Sequence, residues 1–341
     1  MDIQKLIRPN IQTLKPYASA RDEFKGEARI YLDANENPNP SGWNRYPDPL
    51  QQELKRIISY IKGVAFQNIF VGNGSDEPID LLIRAFCEPG HDQIIIPQPT
   101  YGMYQVSAGI NNVEVVECSL TPDFDLDVNA ILSKVSNKSK ILFLCSPNNP
   151  TGNVLSRSTM EQLISQFPGI VVIDEAYQDF SGQESFNQQL DQFPNLVVLQ
   201  TLSKAWGMAS LRIGLAFASE LIVGTLNKIK PPYNISGIAQ REAIQRLKNR
   251  STMEAEVTEI IRQREILARE LENLTSVEKV YPSHANFVLV RMKNAHVVYR
   301  QLMEKGIIVR DRSRVLLCEN CLRITVGTSD ENKELIRALQ S

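Results

Sequence analysis

Histidine and cysteine are both scarce in this chain, and charge of neither sign is in excess. Only three histidines, His91, His284 and His296, occur among 341 residues, and they are dispersed. The five cysteines include one pair with metal-ligand spacing, Cys318-Glu-Asn-Cys321. A structural zinc centre needs four ligands, and no second cysteine pair or closely spaced histidine pair accompanies this one. The pair therefore reads as two ordinary thiols flanking a turn, and no metal is expected. So few cysteines also exclude a disulfide framework and suggest a reducing compartment. The net charge is -2 and the basic residues are scattered, so nothing recommends a nucleic-acid partner. The longest apolar runs, such as Ile141 to Cys145, fall far short of the ~20 residues a membrane helix needs. The opening Met1-Asp-Ile-Gln-Lys5 is charged from the start and lacks the apolar core of a signal peptide. A soluble cytoplasmic protein without a membrane partner is the expectation.

What the chain does contain is the alternation of an α/β protein. Its composition, 43% hydrophobic and 22% charged, is that of an ordinary globular chain long enough for one large and one smaller domain. From about residue 68 to 218, short apolar runs alternate with helix-compatible stretches, with no internal repeat. Ile94-Ile95-Ile96, Ile141 to Cys145, Ile170 to Ile173 and Leu196 to Leu199 are near-continuous runs. Strands of that kind are buried on both faces, as in a parallel sheet covered by helices. The fold class expected is therefore α/β with a doubly wound, mostly parallel sheet. After Tyr233 the pattern becomes α+β: one or two long helices over 237–271, then strand candidates at 287–291 and 321–326. We accordingly expect a large domain over 40–235 and a smaller one over 236–341. The N-terminal arm, residues 1–39 with Pro9 and Pro16, is expected to pack on the smaller one.

Ligands of open α/β sheets gather outside the carboxyl ends of the strands. Three successive strands here end in reactive groups. One runs into Ser146-Pro-Asn148-Asn-Pro-Thr-Gly152, one ends on Asp174-Glu-Ala-Tyr177, and one leads to Thr201-Leu-Ser203-Lys204. Taken singly, such an Asp is a turn former, the lysine a solvated surface residue and the Asn-Asn-Pro a plain turn. In one sheet they converge. Further upstream, Gly72-Asn-Gly-Ser75-Asp76-Glu-Pro78 follows a short strand and opens a helix, where backbone N–H groups make an anion site. It is neither a Walker A loop nor a dinucleotide fingerprint.

With Arg212 eight residues after Lys204, these motifs resemble the fold-type-I pyridoxal-phosphate aminotransferases. The resemblance covers most of the chain and implies its fold, a large sheet domain with a smaller α+β domain. It also implies pyridoxal 5'-phosphate as cofactor. Lys204 would hold the cofactor through its amine and then act as general base. Asp174 would keep the pyridine nitrogen protonated, while Asn148 and Tyr177 would hydrogen-bond the phenolic oxygen. Ser75, Asp76, Ser203 and Arg212 would hold the phosphate, and Tyr101 would stack on the ring.

Within that superfamily the chain is similar to the histidinol-phosphate aminotransferases. Leu14-Lys-Pro-Tyr17, Leu32-Asp-Ala-Asn-Glu-Asn-Pro38, Arg45-Tyr46-Pro-Asp48, Pro99-Thr-Tyr101-Gly-Met-Tyr104, Pro232-Tyr-Asn234 and Leu322-Arg323-Ile-Thr-Val-Gly327 carry the likeness. The implied small-molecule substrates are a phosphorylated amino alcohol and the glutamate/2-oxoglutarate pair. One site must then accept a planar carboxylate and a tetrahedral phosphate in turn, which suits arginine's directional fork. Arg323, alone on an otherwise apolar strand, is the candidate, with Arg310 second and Tyr17 closing over the site. Tyr46 matches the tyrosine that reaches the neighbouring subunit's cofactor phosphate, which implies a homodimer with shared active sites. The chain departs from the usual pattern at Trp206 and Ser210, where Phe and Gly are common. An aromatic aminotransferase with the same residues, or a threonine-phosphate decarboxylase, stays open at this level. A non-catalytic regulator would need an appended basic module for which 341 residues leave no room.

Overall fold

The computed structural model describes residues 2–17 and 29–340. Seven strands, β1 (Ile69–Asn73), β2 (Gln93–Gln98), β3 (Glu114–Ser119), β4 (Ser139–Cys145), β5 (Ile170–Asp174), β6 (Leu196–Thr201) and β7 (Ile213–Ala218), form the larger sheet. Their order is β1-β7-β6-β5-β4-β2-β3, parallel except for β7, which runs antiparallel between β6 and β1.

The helices that cover it are α1 (Pro9–Thr13), α2 (Gln52–Lys62), α3 (Asp76–Phe86), α4 (Met103–Ile110), α5 (Val128–Ser133), α6 (Arg157–Gln166), α7 (Glu220–Ile229), α8 (Gly237–Leu247) and α9 (Arg250–Glu272). The apolar runs need cover on both sides, because alternate residues of one strand point to opposite faces. Leu142, Leu144, Val171, Ile173 and Val198 pack with Ile58 of α2, Leu163 of α6 and Ala243 of α8. Their neighbours Ile141, Phe143, Ile170, Val172 and Val197 pack with Leu82 of α3, Tyr104 of α4 and Leu226 of α7. Each such fully buried aliphatic side chain contributes about 1.5–3 kcal/mol. The doubly wound architecture follows.

A smaller antiparallel sheet is built from β8 (Val277–Val280), β9 (Phe287–Met292), β10 (Arg310–Asp311) and β11 (Cys321–Thr325) in order β10-β11-β9-β8. On one face Val288, Val290, Leu322 and Ile324 pack against α9, α10 (Ala295–Glu304) and α11 (Ser329–Gln340). On the other, Phe287, Leu289 and Cys321 join the core of the larger sheet. No helix among the described residues is long and apolar enough to cross a membrane.

The described start of the N-terminal arm corrects one expectation: it packs on the larger unit. Ile3 and Ile7 are buried among residues of α3 and α7, where two apolar surfaces already meet. The Arg8 backbone N–H donates to the Ala85 carbonyl at 2.9 Å, and its guanidinium pairs with Glu88. Lys228 of α7 closes the end of α1, donating to the carbonyls of Ile11 and Gln12 at 2.7 and 2.8 Å. Helix α8, beyond residue 235, likewise buries Ala239, Ala243, Ile244 and Leu247 in the core of the larger sheet.

Candidate active site

Strand register brings the reactive groups together. Cys145 at the end of β4 lies opposite Asp174 at the end of β5, and Asp174 lies opposite Leu199 of β6. The ends of β4 and β5 are thus level, β6 runs two residues further to Thr201, and the segments leaving the three open into one cleft. It is lined by Asp174, Tyr177, Ser203 and Lys204, together with Ser75, Asp76, Tyr101, Asn149 and Arg212.

Asp174 is the deepest charge in the cleft and is fully buried. It accepts hydrogen bonds from the Tyr104 hydroxyl at 2.6 Å and from the Ala176 backbone N–H at 3.0 Å. Burial pushes its pKa up to about 6 against those two bonds, which favour the ionised form. Such a carboxylate gains from a cationic partner. Tyr104, on α4, is stacked on Phe143 of β4 with ring centroids 4.6 Å apart. In the sequence Tyr104 is marked only as the last residue of Pro99-Thr-Tyr101-Gly-Met-Tyr104. Tyr101 precedes the helix and Tyr104 lies in its first turn, so no helical spacing in the sequence aimed Tyr104 at Asp174.

Lys204 reaches solvent through the cleft but is crowded by protein. Its amine makes no hydrogen bond or ion pair among the described residues, and it sits 5.6 Å from the Tyr177 ring centroid. Loss of hydration, and then the guanidinium groups of Arg323 and Arg212, lower its pKa. The neutral, nucleophilic amine is therefore more populated than on an ordinary surface lysine. Tyr177 packs edge-on against Phe287 of β9, and burial raises its hydroxyl pKa, so it remains a proton donor.

The anion cradle is assembled from backbone and side chains. Ser75 precedes α3 without a side-chain capping bond, leaving the first N–H groups of that helix to an outside acceptor. The Ser203 hydroxyl is buried and has no hydrogen-bond partner. Arg212 adopts a left-handed conformation (φ 54°), and its carbonyl accepts from the Gly74 N–H at 2.7 Å. Close approach here requires glycine. A Cβ on Gly74 would meet the Arg212 guanidinium at 2.5 Å, and one on Gly214 would meet the Gly74–Ser75 backbone at 2.2 Å. A phosphate would satisfy the orphaned hydroxyl, the helix N–H groups and Arg212 together, so this set fits pyridoxal phosphate. The Asp76 carboxylate does not serve an anion. It accepts from the Tyr101 hydroxyl at 3.0 Å and pairs with Arg212 at 3.5 Å, fixing both.

Asn148 is a correction. Its amide donates to the Pro99 carbonyl at 2.9 Å and to Thr151 Oγ1 at 2.7 Å, and its oxygen accepts from Thr100. With 1% exposure and its polar atoms engaged, it braces the loop behind the cleft. Asn149 faces the cleft instead, and its Oδ1 accepts from Arg323 Nη1. Arg323 lies over the Phe287 ring at 5.3 Å, and Arg310 stands directly opposite it in the β10–β11 register. Arg323 and Arg310 have no carboxylate partner among the described residues.

Two expected residues stand apart. Tyr17 is 72% exposed and lines no part of the cleft. Tyr46 is also exposed and stacks on Tyr233 at 4.5 Å, outside this cleft. No group of three His, Cys, Asp or Glu able to hold a metal occurs among the described residues, and Cys318 and Cys321 are free, buried thiols.

Comparison with known proteins agrees with this geometry. Residues 28–339 match the family described as Aminotransferase class I and II. A histidinol-phosphate aminotransferase from Cytophaga hutchinsonii is 54% identical over 99% of this chain and 99% of its own length. The crystal structure of the histidinol-phosphate aminotransferase from Clostridium acetobutylicum superposes with a TM-score of 0.80 at 25% identity, covering 88% of this chain and 90% of that one. That from Sinorhizobium meliloti, in complex with pyridoxal-5'-phosphate, gives 0.81 at 23% identity over 97% and 95%. With this fold, this cleft and these relatives, the chain belongs to the aminotransferase class I and II family, in the group of the histidinol-phosphate aminotransferases.

Proposed function

We propose that this chain uses pyridoxal phosphate to exchange an amino group between L-histidinol phosphate, with its ketone imidazole-acetol phosphate, and the glutamate/2-oxoglutarate pair. This is a step of histidine biosynthesis. The observation that carries the reading is an arginine without a carboxylate partner, Arg323, held by Asn149 at the rim of a cleft containing Lys204 and Asp174. The relatives named above support the choice of substrate.

Bound pyridoxal phosphate supplies an electron sink conjugated to the carbon that bears the amino group. The chain supplies the rest. Asp174 would hold a proton at the pyridine nitrogen, with Tyr104 orienting its carboxylate. Ser203, Arg212 and the first N–H groups of α3 would hold the phosphate, while Tyr177 and Asn149 would donate to the phenolic oxygen. Tyr101, tethered to Asp76, would lie against the ring. Lys204 would anchor the cofactor, then carry a proton from the substrate carbon to the cofactor carbon, a role its lowered pKa supports. Arg323 would accept glutamate's carboxylate in one half-reaction and the phosphoester in the other, with Arg310 beside it.

Homodimerisation belongs to the same reading: Tyr46 would reach a neighbouring subunit's cofactor phosphate, and Tyr17 would close over the substrate. Both are exposed in the single chain.

The test is spectroscopic. Glutamate added to the purified yellow protein should bleach its cofactor absorbance, and imidazole-acetol phosphate should restore it. A colour indifferent to glutamate, with CO₂ released from threonine phosphate, would sink the reading in favour of a decarboxylase. Bleaching reversed only by phenylpyruvate would make the enzyme an aromatic aminotransferase.

A further inference from the structure

The β10–β11 ladder does not stop at its two assigned pairs. Arg310 faces Arg323 and Asp311 faces Leu322, and beyond them the Arg312 N–H donates to the Cys321 carbonyl at 2.9 Å. Side chains alternate along a strand, so Arg312 shares a face with Arg310, Arg323 and Cys321. Across β9 the same face carries Phe287 and Leu289 into the core of the larger sheet, beside Tyr177 of the cleft. Asp311 points the other way, toward His296 at 3.4 Å. Arg310, Arg312 and Arg323 thus gather on one face, which Arg291 of β9, opposite Cys321, also shares, and among the described residues none of the four has a carboxylate within ion-pair distance.

Arg312 is confined at its inner end. Its Nε is buried without a hydrogen-bond partner. Burial, and then repulsion from Arg323 and Arg310, hold its pKa down to about 10. A desolvated cation next to like charges is costly unless an anion accompanies it. A single carboxylate is already matched by one arginine fork. A phosphate monoester carries about −1.5 to −2 and three strong acceptor oxygens, so it has charge and lone pairs left over.

We propose that Arg312 is a specificity-determining residue that favours a phosphate monoester over a carboxylate at the Arg323 anion site. It rests on the function proposed above, and it assigns the phosphate half of that function to a guanidinium beyond Arg323 and Arg310. Glutamate gains little from a third positive charge, whereas the phosphoester binds against all three.

The test uses the cofactor-loaded protein as wild type, Arg312→Gln and Arg312→Lys. Rates of cofactor bleaching with glutamate and with histidinol phosphate give kcat/KM for each half-reaction. In Arg312→Gln the ratio of phosphoester to glutamate should fall about tenfold, equivalent to about 1.4 kcal/mol, chiefly through KM. Arg312→Lys should recover part of it. An equal fall with both substrates would mean a structural role, and an unchanged ratio would mean no role; either overturns the proposal. A second readout is the thermal midpoint of the loaded protein in inorganic phosphate against acetate. Phosphate should stabilise wild type more than Arg312→Gln, and equal stabilisation overturns the proposal. If wild type ignores histidinol phosphate, the proposed function fails, while the midpoint comparison still decides the part played by Arg312.

Discussion

Replacing Tyr104 with Phe removes one hydroxyl from behind the cleft and leaves a ring that can stay stacked on Phe143. The lost contact is the 2.6 Å bond to Asp174. A hydrogen bond to a charged acceptor contributes about 1.5–3 kcal/mol, which at 1.36 kcal/mol per pKa unit is roughly one to two units. Asp174 already stands at about 6 with that bond in place. In Tyr104→Phe its pKa should rise by that increment, so that much of the carboxyl is neutral at pH 7. A carboxyl with a higher pKa in the folded state than in the unfolded state binds its proton more tightly when folded. Stability therefore falls as pH rises from the unfolded value to the folded one, and is level beyond it. In the cofactor-free wild type this fall should end near pH 6. In the variant it should continue to about pH 7–8, a further loss of about 1.5–3 kcal/mol. Urea unfolding of both cofactor-free proteins at pH 5 and pH 8 measures it. Any pH-independent packing effect of the missing oxygen cancels in the difference. In the loaded enzyme, the acid limb of kcat against pH should move upward. Parallel stability curves for the two proteins would refute the idea that Tyr104 governs the ionisation of Asp174.

Three further outcomes follow from the site. Arg323→Lys keeps the charge but loses the fork, and kcat/KM should drop about ten- to a hundredfold with both glutamate and histidinol phosphate. A loss confined to one half-reaction, measured by single-turnover bleaching, would mean that the two anions use separate sites. Lys204→Ala should abolish turnover while the folded protein still binds pyridoxal phosphate non-covalently, as equilibrium dialysis would show; near-normal turnover would overturn the assignment of the cleft. Gly214→Ala places a Cβ 2.2 Å from the Gly74–Ser75 backbone, which cannot yield as a flexible side chain would. It should cost about 1–3 kcal/mol of stability and weaken cofactor binding. Wild-type values for unfolding and cofactor affinity would show that the close approach is not needed.

Much of the fold was legible because its signals are local. Near-continuous runs such as Leu196 to Leu199 can be satisfied only with cover on both faces, and the structure gives them exactly two cores, one for each set of alternate residues. The arm was misplaced because nothing local says which apolar surface Ile3 and Ile7 will meet. That surface is made by α3 and α7, which come together only in the folded chain.

For the site, the sequence by itself determined which reactive groups stand near strand ends: Asp174 closes β5, Tyr177 and Ser203-Lys204 follow β5 and β6, and Arg212 immediately precedes β7. Tertiary structure decided which neighbours complete them. Asn148 and Asn149 are indistinguishable as letters, and only the path of the loop turns one into Pro99 and Thr151 and the other into the cleft. Tyr104 acts on a carboxylate seventy residues away, and Arg310 confronts Arg323 through a pairing no local pattern encodes. The physical reason is the same in each case. Residue type sets what a group can do, but desolvation, register and facing direction come from partners distant in sequence, and these set its charge and aim.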